Sequence, residues 1–548
     1  MFAALRHLGV VLCLAGLALV AWPGSAWAQS SLSRAQAREL RLYDGTLVLA
    51  RPGAGPALRR AGGARIASVQ PIWRLPSGRA LHVLPALMRA GLVREVEPDQ
   101  PFDVANHLGD PMVVQEWWIP LVGLDRAEPP GPGKPLTIVD TGVDVTHAEY
   151  AGRPGTTAFN AQSTSARFEE HGTAVASVAA APTNGIGLVG VYPQATLQIW
   201  DASPLGNGIA AGDVIKGLDA AIRNGPGVIN LSLGSPTRNP LLERMIAYTI
   251  GSGSLVVAAA GNSRAEGNPL EYPASLPHVL TVGAIDESGQ PTYFSSSSPY
   301  IDLTAPGVNI PVAVPATYAP EGYASFSGTS FSSPMVAGAA AWVWTARPTL
   351  DVLQLAEVMR ASAQDISSPG FDPFSGFGRL DIPAALTAVP GARDPQEPNE
   401  DVSYLKRSGP LHRAAAPLTA AGHPRGAITA RLELAEDPRD VYRIWVPGRR
   451  TAVVALQPAG GDVDLALWGP HTVSVLESGA ARKRDFRGRS ERSGQKRECL
   501  RVKNTSRAGA YYYAEASVGA GNGTVVRRAA GIGYRLSVSI VKTKTARR

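Results

Sequence analysis

The chain has 548 residues, too many for one ordinary domain, and its 45% hydrophobic and 18% charged residues fit a globular protein with a large core. Its net charge of +7 is uneven: residues 29–104 hold 11 basic and 6 acidic residues, 105–390 hold 12 and 24, and 391–548 hold 28 and 15. Net charges of +5, −12 and +13 indicate three units. Of two cysteines, Cys13 lies in an apolar leader that we expect to be removed, which leaves Cys499 and excludes a disulfide within the mature chain.

The first 28 residues are typical of a secretory signal peptide. A basic start at Arg6 precedes an apolar run over 8–21, and "AWA" at 26–28 supplies a small-residue cleavage site after Ala28. The alternative is an uncleaved membrane anchor, but the apolar run is shorter than the ~20 residues that span a bilayer. We therefore expect a secreted protein, extracellular, periplasmic or associated with the cell envelope.

Residues 29–104 form the first block after the leader and contain no lysine. Strand-like runs occur at 45–50, 79–85 and 92–98. We expect a small α+β unit that contains several strands.

From about residue 136 to 365 the pattern changes to alternating strands and helices. The strands are continuous apolar runs, as in sheets that are buried on both faces. They are 136–140, 195–201, 227–234, 255–262 and 279–286, with helical segments at 211–225 and 239–253. The expected fold of 105–390 is therefore α/β, with a mostly parallel sheet and helices on both faces.

The remainder of the chain reads as all-β. A segment rich in proline and acidic residues at 387–401 marks a boundary, and we assign 391–439 to a linker and the entry to the last domain. Short, partly alternating strands follow at 440–446, 451–458, 462–468, 510–518 and 533–541. These runs predict a β-sandwich over 440–548 with a basic insertion at 482–503.

Five polar residues stand where an α/β sheet collects its working groups. Asp140, Ser232 and Asn262 lie at the carboxyl ends of predicted strands, and His171 and Ser330 open predicted helices. Singly, each fits an ordinary cap or turn residue. Together an acid, an imidazole, a hydroxyl and an amide are the groups needed for acyl transfer.

The segments around these residues resemble subtilisin-like serine peptidases. The segments are "IVDTGVDVTH" (138–147), "HGTAVAS" (171–177), "INLSLG" (229–234), "AAGN" (259–262) and "FSGTSFSSPMVAGAAA" (326–341), in the Asp, His, Ser order of that family. The resemblance covers roughly 110–390. The chain departs from it at Ala174 and Ser177, where relatives usually carry histidine and glycine, and we expect only altered local packing there.

The resemblance implies a role for each residue. Ser330 is the expected nucleophile, His171 the general base and then acid, and Asp140 the group that orients the imidazole. The side-chain amide of Asn262 and the backbone N–H of Ser330 are the expected oxyanion hole. We also expect Pro334 in the first turn of the helix that Ser330 opens.

The same resemblance implies an extended polypeptide substrate. Ser232, Leu233 and Gly234 match the cleft edge that pairs with a substrate backbone. Small residues along the wall of the main pocket favour a roomy, apolar pocket; they are Ala259, Ala260 and Gly261.

The flanking blocks also resemble parts of secreted peptidases. Residues 29–104 are similar to subtilase propeptides, which imply a folding aid and inhibitor removed by cleavage within 99–112. The tail resembles the bacterial pre-peptidase C-terminal domain. Its segment 482–503 holds ten basic and three acidic residues, which fits either a solvated loop or adhesion to an anionic cell envelope, without specific nucleic-acid binding.

Metal binding is a further expectation from the resemblance. The loop 182–187 is similar to a subtilase calcium loop, and Asp110, Glu149 and Asn184 are the candidate oxygen donors. Loops of this composition also occur without a metal. Catalysis itself is expected to need no cofactor.

Two other functions compete with a secreted zymogen of a serine endopeptidase. One is a non-catalytic adhesion or binding protein on the same scaffold. The presence of all four groups, the acid, the imidazole, the hydroxyl and the amide, argues against it. The other is a sedolisin-type acid peptidase, which needs a glutamate base, whereas this chain offers His171 within "HGT".

Overall fold

The computed structural model describes residues 31–42, 45–67, 69–99, 108–160, 170–204, 206, 208–391, 396–405, 415–433, 435–476, 478–519 and 531–542. The predicted leader, Cys13 and most of the predicted maturation region lie outside this range. The chain divides into two compact units, Met1–Asn106 and His107–Arg548. Among the helices that are described, none is both long and apolar enough to cross a membrane.

In its described residues, the first unit has an antiparallel sheet with strand order β2-β3-β1-β4 and three α-helices. The elements are α1 Arg34–Glu39, β1 Gly45–Ala50, α2 Gly55–Arg60, β2 Ala64–Arg65, β3 Ile72–Pro76, α3 Ser77–Arg89 and β4 Val93–Pro98. The prediction of a strand at 79–85 is wrong, because this run belongs to α3. Ala80, Leu84 and Leu87 are buried at the three- and four-residue spacing of one helix face.

The second unit contains a parallel sheet of seven strands in the order β11-β10-β9-β8-β5-β7-β6. The strands are β5 Pro135–Asp140, β6 Thr156–Ala158, β7 Thr196–Asp201, β8 Val228–Leu231, β9 Leu255–Ala259, β10 Val279–Ile285 and β11 Leu303–Pro306, followed by the hairpin β12 Ile310–Ala313 and β13 Tyr323–Phe326. Parallel strands with their carboxyl ends at one edge are the arrangement that the apolar runs predicted.

Helices cover both faces of this sheet, as predicted. The helices of this region are α4 Ile119–Val122, α5 Glu170–Ala180, α6 Ala211–Arg223, α7 Pro240–Gly251, α8 Thr329–Ala346, α9 Val352–Ala361 and α10 Ile382–Thr387. Alternate strand residues point to opposite faces. Accordingly Val228 packs in the core that contains α5 and α8, and Ile229 in the core that contains α6 and α7.

Two antiparallel sheets follow, with strand orders β14-β21-β16-β19 and β15-β20-β17-β18. Their elements, with two short helices, are α11 Val402–Leu405, β14 Arg425–Leu432, β15 Arg439–Val446, β16 Arg450–Ala459, β17 Val463–Trp468, α12 Gly479–Asp485, β18 Phe486–Ser490, β19 Glu498–Lys503, β20 Ala510–Val518 and β21 Ile532–Lys542. One apolar core contains residues of both sheets, and the hydroxyls of Tyr442 and Tyr534 meet within it at 2.7 Å. The predicted β-rich tail is therefore present as two packed sheets.

The basic segment 482–503 is a loop only between β18 and β19, at 491–497. It forms the end of α12 and the strands β18 and β19, each at the edge of its sheet. The alternation of inward and outward side chains in these strands is hidden in the sequence by the many arginines, which are exposed. In α12, the guanidinium of Arg482 lies over the rings of Trp468 and Phe486.

Candidate active site

The carboxyl end of β5 and the start of α5 bring an acid and an imidazole together. Asp140 is buried at the end of β5, and its Oδ1 lies 2.7 Å from Nδ1 of His171, in the first turn of α5. Gly172 allows this approach, because a Cβ there would lie 2.0 Å from the carbonyl oxygen of Gly142. The backbone N–H of Gly172 also donates to the hydroxyl of Thr141. The sequence "HGT" thus fits a helix that begins in contact with the carboxyl end of β5.

The surroundings of His171 favour its protonated form. Burial lowers the pKa of the imidazole, but the charge and hydrogen bond of Asp140 and the charge of Glu170 together raise it above the ordinary 6.5. The carboxylate therefore stabilises an imidazolium when a proton reaches the free ring nitrogen.

Ser330 is the second residue of α8, and the carbonyl of this serine is held from outside the helix. Pro334 lacks the N–H that would donate to the carbonyl oxygen of Ser330. The hydroxyl of Ser232, which follows β8, donates to that oxygen at 2.8 Å instead. The placement of Pro334 in the first helical turn is therefore wrong, because α8 already begins at Thr329 and Pro334 is its sixth residue.

Asn262 is attached to the same helix start. Its side-chain Oδ1 accepts hydrogen bonds from the backbone N–H of Thr329 at 2.9 Å and from its hydroxyl at 3.0 Å. The Thr329 hydroxyl also accepts from the backbone N–H of Gly261 at 3.2 Å. These contacts leave the exposed Nδ2 group of Asn262 available as a donor beside Ser330.

One expected contact is not formed. In the described part of the chain, the Ser330 hydroxyl makes no hydrogen bond to the His171 imidazole, although the ring of His171 lies 5.9 Å, centroid to centroid, from that of neighbouring Phe331. Catalytic hydrogen bonds are often long without substrate and shorten only when it binds. The structure thus joins Asp140 to His171 and joins Ser232 and Asn262 to the Ser330 turn.

The expected cleft edge and the expected pocket wall both adjoin a carboxylate that the sequence did not reveal. Glu271, in the loop between β9 and β10, is 7% exposed and lies against both Gly234 and Gly261. A carboxylate therefore lies beside the residues that are expected to line a roomy, apolar pocket. Glu271 lies in a loop, so no helical or strand pattern in the local sequence predicts that its side chain is buried.

The two departures from the resemblance lie inside α5, away from Asp140. Ala174 is fully buried in the core, and the hydroxyl of Ser177 donates to its carbonyl oxygen. The same hydroxyl accepts from the backbone N–H of Ala313 in β12. Ser177 therefore joins α5 to β12.

The candidate calcium donors do lie close together, with an additional carboxylate, Glu116. Asp110 accepts hydrogen bonds from the backbone N–H groups of Asn184 and Gly185. Oε1 of buried Glu149 accepts from the backbone N–H of Leu188, whereas its Oε2 is buried without a partner. Burial raises the pKa of Glu149 to about 7, and the charge of Asp110 adds to this effect. Crowded, buried carboxylate oxygens with one left unsatisfied fit the ligand chemistry of Ca²⁺.

Comparison with known proteins supports the interpretation of the peptidase region. A family model described as "Subtilase family" matches residues 131–378. Subtilisin DY of Bacillus licheniformis is 34% identical over 275 residues, which are 49% of this chain and 97% of the relative. Subtilisin Savinase of Lederbergia lenta is 35% identical over 254 residues, which are 45% of this chain and 92% of the relative.

Longer relatives and solved structures also match. Subtilisin E of Bacillus subtilis is 33% identical over 256 residues, 46% of this chain and 65% of the relative. Fervidolysin of Fervidobacterium pennivorans, described as a keratinolytic enzyme related to subtilisin, is 18% identical with a TM-score of 0.49, over 86% of this chain and 91% of its own. From the sequence relatives and the family match, this chain belongs to the subtilase family and is a serine-type endopeptidase.

Proposed function

We propose that the chain hydrolyses peptide bonds through an acyl-enzyme on Ser330, with His171 and Asp140 as the other members of a catalytic triad. The observation that carries this proposal is the 2.7 Å hydrogen bond between Asp140 and His171 in the same sheet edge that holds the Ser330 turn. A serine hydroxyl is a weak nucleophile at neutral pH and needs such a base.

The proposed reaction has two halves. His171 takes the proton of Ser330 as its hydroxyl oxygen attacks the scissile carbonyl, and then gives that proton to the leaving amine. Water repeats the sequence on the acyl-enzyme and releases the acid product. Asp140 stabilises the imidazolium in both halves, in keeping with the raised pKa of His171.

Charge that develops on the carbonyl oxygen needs donors that are already in position. We assign this role to Nδ2 of Asn262 and the backbone N–H of Ser330. The two hydrogen bonds from Thr329 to Oδ1 fix the orientation of the Asn262 amide before substrate arrives. The start of α8 adds the positive end of a helix dipole.

Secretion and zymogen activation belong to the same proposal. The pattern of residues 1–28 supports export, and the opposite net charges of 29–104 and 105–390 support an inhibitory propeptide that is cut from the peptidase. If the cut is autocatalytic, a Ser330→Ala variant accumulates with residues 29–104 still attached.

We propose a structural Ca²⁺ held by Asp110 and Glu149, which would neutralise crowded buried carboxylates and need play no part in catalysis. A chelator is then expected to lower the melting temperature of the wild type and to have a smaller effect on Glu149→Gln. An identical melting temperature with and without chelator would remove the metal from the account.

The exposed cations of 482–503 support reversible adhesion to an anionic cell-envelope polymer. Charge-driven adhesion weakens as salt screens it. Cell-wall fractions are expected to release the mature protein between low and high salt, and release that is independent of salt would contradict adhesion.

Casein digestion tests the proposed chemistry. The wild type is expected to digest casein and Ser330→Ala to lose this activity. Ser325→Ala is the matched control, because Ser325 is an exposed serine of β13 five residues earlier. Digestion by Ser330→Ala at the wild-type rate would overturn the proposal.

A further inference from the structure

Glu271 lies against both segments that are expected to contact substrate, the cleft edge at 232–234 and the pocket wall at 259–261. A Cβ placed on Gly234 would lie 3.3 Å from Oε2 of Glu271. A Cβ placed on Gly261 would lie 2.5 Å from Cγ and 3.3 Å from Cδ of the same side chain. Any larger residue at Gly261 would displace the glutamate, so the sequence leaves room for this carboxylate on both sides.

Both segments also adjoin the nucleophile. In the cleft edge, the hydroxyl of Ser232 donates to the carbonyl oxygen of Ser330. In the pocket wall, the backbone N–H of Gly261 donates to the hydroxyl of Thr329. The backbone of Ser235 pairs with that of Tyr272, the residue after Glu271, through two hydrogen bonds of 3.0 and 2.8 Å. Glu271 is thereby tied to the segment that also contacts the Ser330 carbonyl through Ser232.

Within the part of the chain that the structure describes, the Glu271 carboxylate has no ionic partner. Among the described residues, no arginine or lysine forms an ion pair with Glu271; nearby Arg238 is engaged by both carboxylate oxygens of Glu243. Burial raises the pKa of Glu271, and a hydrogen bond from the side chain of Ser263 only partly offsets it. A carboxylate kept from water in this way gains most from a cation that enters with the ligand.

We propose that Glu271 makes the enzyme select substrates with lysine or arginine immediately before the scissile bond. This inference rests on the proposed function, since the pocket is defined by its position beside Ser330. The long apolar stem of a basic side chain would lie along Ala259 and Ala260, and its charged end would reach Glu271. The preference requires an ionised carboxylate, so it should weaken as pH falls.

Four peptide p-nitroanilides that differ only in the residue before the bond test this proposal: lysine, arginine, methionine and phenylalanine. We expect kcat/KM for lysine and arginine to exceed that for methionine by about 30-fold or more, the size typical of a buried charge pair. The Glu271→Gln variant, which keeps shape but loses charge, is expected to reduce this ratio by a similar factor.

Glu266→Gln is the matched control. Glu266 lies in the same loop with an exposed side chain, and its substitution removes the same charge without touching the pocket. The ratio of basic to methionine substrate should therefore stay at the wild-type value. Reporting a ratio makes the test independent of the fraction of folded enzyme, which fluorophosphonate titration of each preparation measures separately.

The outcomes separate this inference from the proposed function. Hydrolysis of all four substrates with no preference for basic residues, or a preference that survives Glu271→Gln, would overturn the role of Glu271 and leave the peptidase chemistry intact. If none of the four substrates is hydrolysed in a way that depends on Ser330, both the role of Glu271 and the proposed peptidase chemistry are overturned.

Discussion

His171 combines two opposing effects in one side chain. Burial of the imidazole disfavours its charged form, whereas Asp140 favours that form. Together they place the pKa of His171 above 6.5. A base whose pKa is raised in this way is a stronger proton acceptor but is neutral only at higher pH.

The pH dependence of kcat/KM follows from this balance. Only neutral His171 can accept the proton of Ser330, so activity should rise with pH through the raised pKa, with a half-maximum above pH 6.5. In Asp140→Asn the burial effect is no longer opposed, and the half-maximum should move to lower pH while kcat falls. Measurement of kcat/KM from pH 3 to 9 checks both, and a wild-type half-maximum near pH 4 would instead favour the glutamate base of a sedolisin.

Sequence motifs predicted the individual residues of the site, but they did not predict contacts between distant segments. Asp140, His171, Asn262 and Ser330 each stand in a recognisable local pattern. The hydrogen bond from Ser232 to the Ser330 carbonyl depends on the absence of an N–H at Pro334, and it joins elements 98 residues apart. No local pattern predicts such a partner, and the same holds for Glu271.

Helix α8 shows how small side chains allow a catalytic helix to cross the core. Nearly all of its side chains are buried, and Gly338 lies where a Cβ would be 2.8 Å from the carbonyl oxygen of Ala179 in α5. The two helices can therefore pack closely, and His171 and Ser330 are each held at the start of one of them.

A paired glycine substitution tests this close packing. Gly338→Ala should lower the free energy of unfolding by roughly 1–3 kcal/mol, because the added methyl overpacks the contact with α5. A Cβ added at Gly212 in α6 would meet nothing within 4 Å. Gly212→Ala should therefore raise the free energy of unfolding by about 0.5–1 kcal/mol, the usual gain of alanine over glycine in a helix. Urea unfolding of Ser330→Ala backgrounds would measure both, and equal effects of the two substitutions would contradict the packing account.

Elements were predicted well where burial is two-sided. The continuous apolar runs of β5, β7, β9 and β10 match the structure within one to three residues at each end, because strands covered on both faces need no polar residues. The run at 79–85 failed because a short apolar segment suits a strand or one helix face equally. The edge strands β18 and β19 were missed because outward arginines obscure their period.

Ion pairs connect the peptidase fold to the β-rich tail within the second unit. His278, just before β10, pairs with Glu400, which precedes α11. Arg360 on α9 lies 3.3 Å from Asp302 and 3.2 Å from Glu436 of the tail. Asp302 has no exposed side-chain surface, so its charge depends on partners inside the protein.

Loss of the Arg360 guanidinium should destabilise this junction. Removing one partner of a buried pair leaves the other charge uncompensated, so Arg360→Ala should lower the free energy of unfolding by about 3 kcal/mol or more. Arg244→Ala, on the exposed side of α7, is the control and should change it by less than about 0.5 kcal/mol. Equal thermal and denaturant stability of the two variants would show that the junction does not depend on Arg360.

Active-site labelling tests the molecule's chemistry most directly. A fluorophosphonate should form one adduct, found by peptide mapping on Ser330, with caseinolytic activity falling in proportion to the modified fraction. The same reagent should leave His171→Ala almost unlabelled, because the base that activates the hydroxyl is absent. Complete loss of activity while Ser330 stays unmodified would contradict the account.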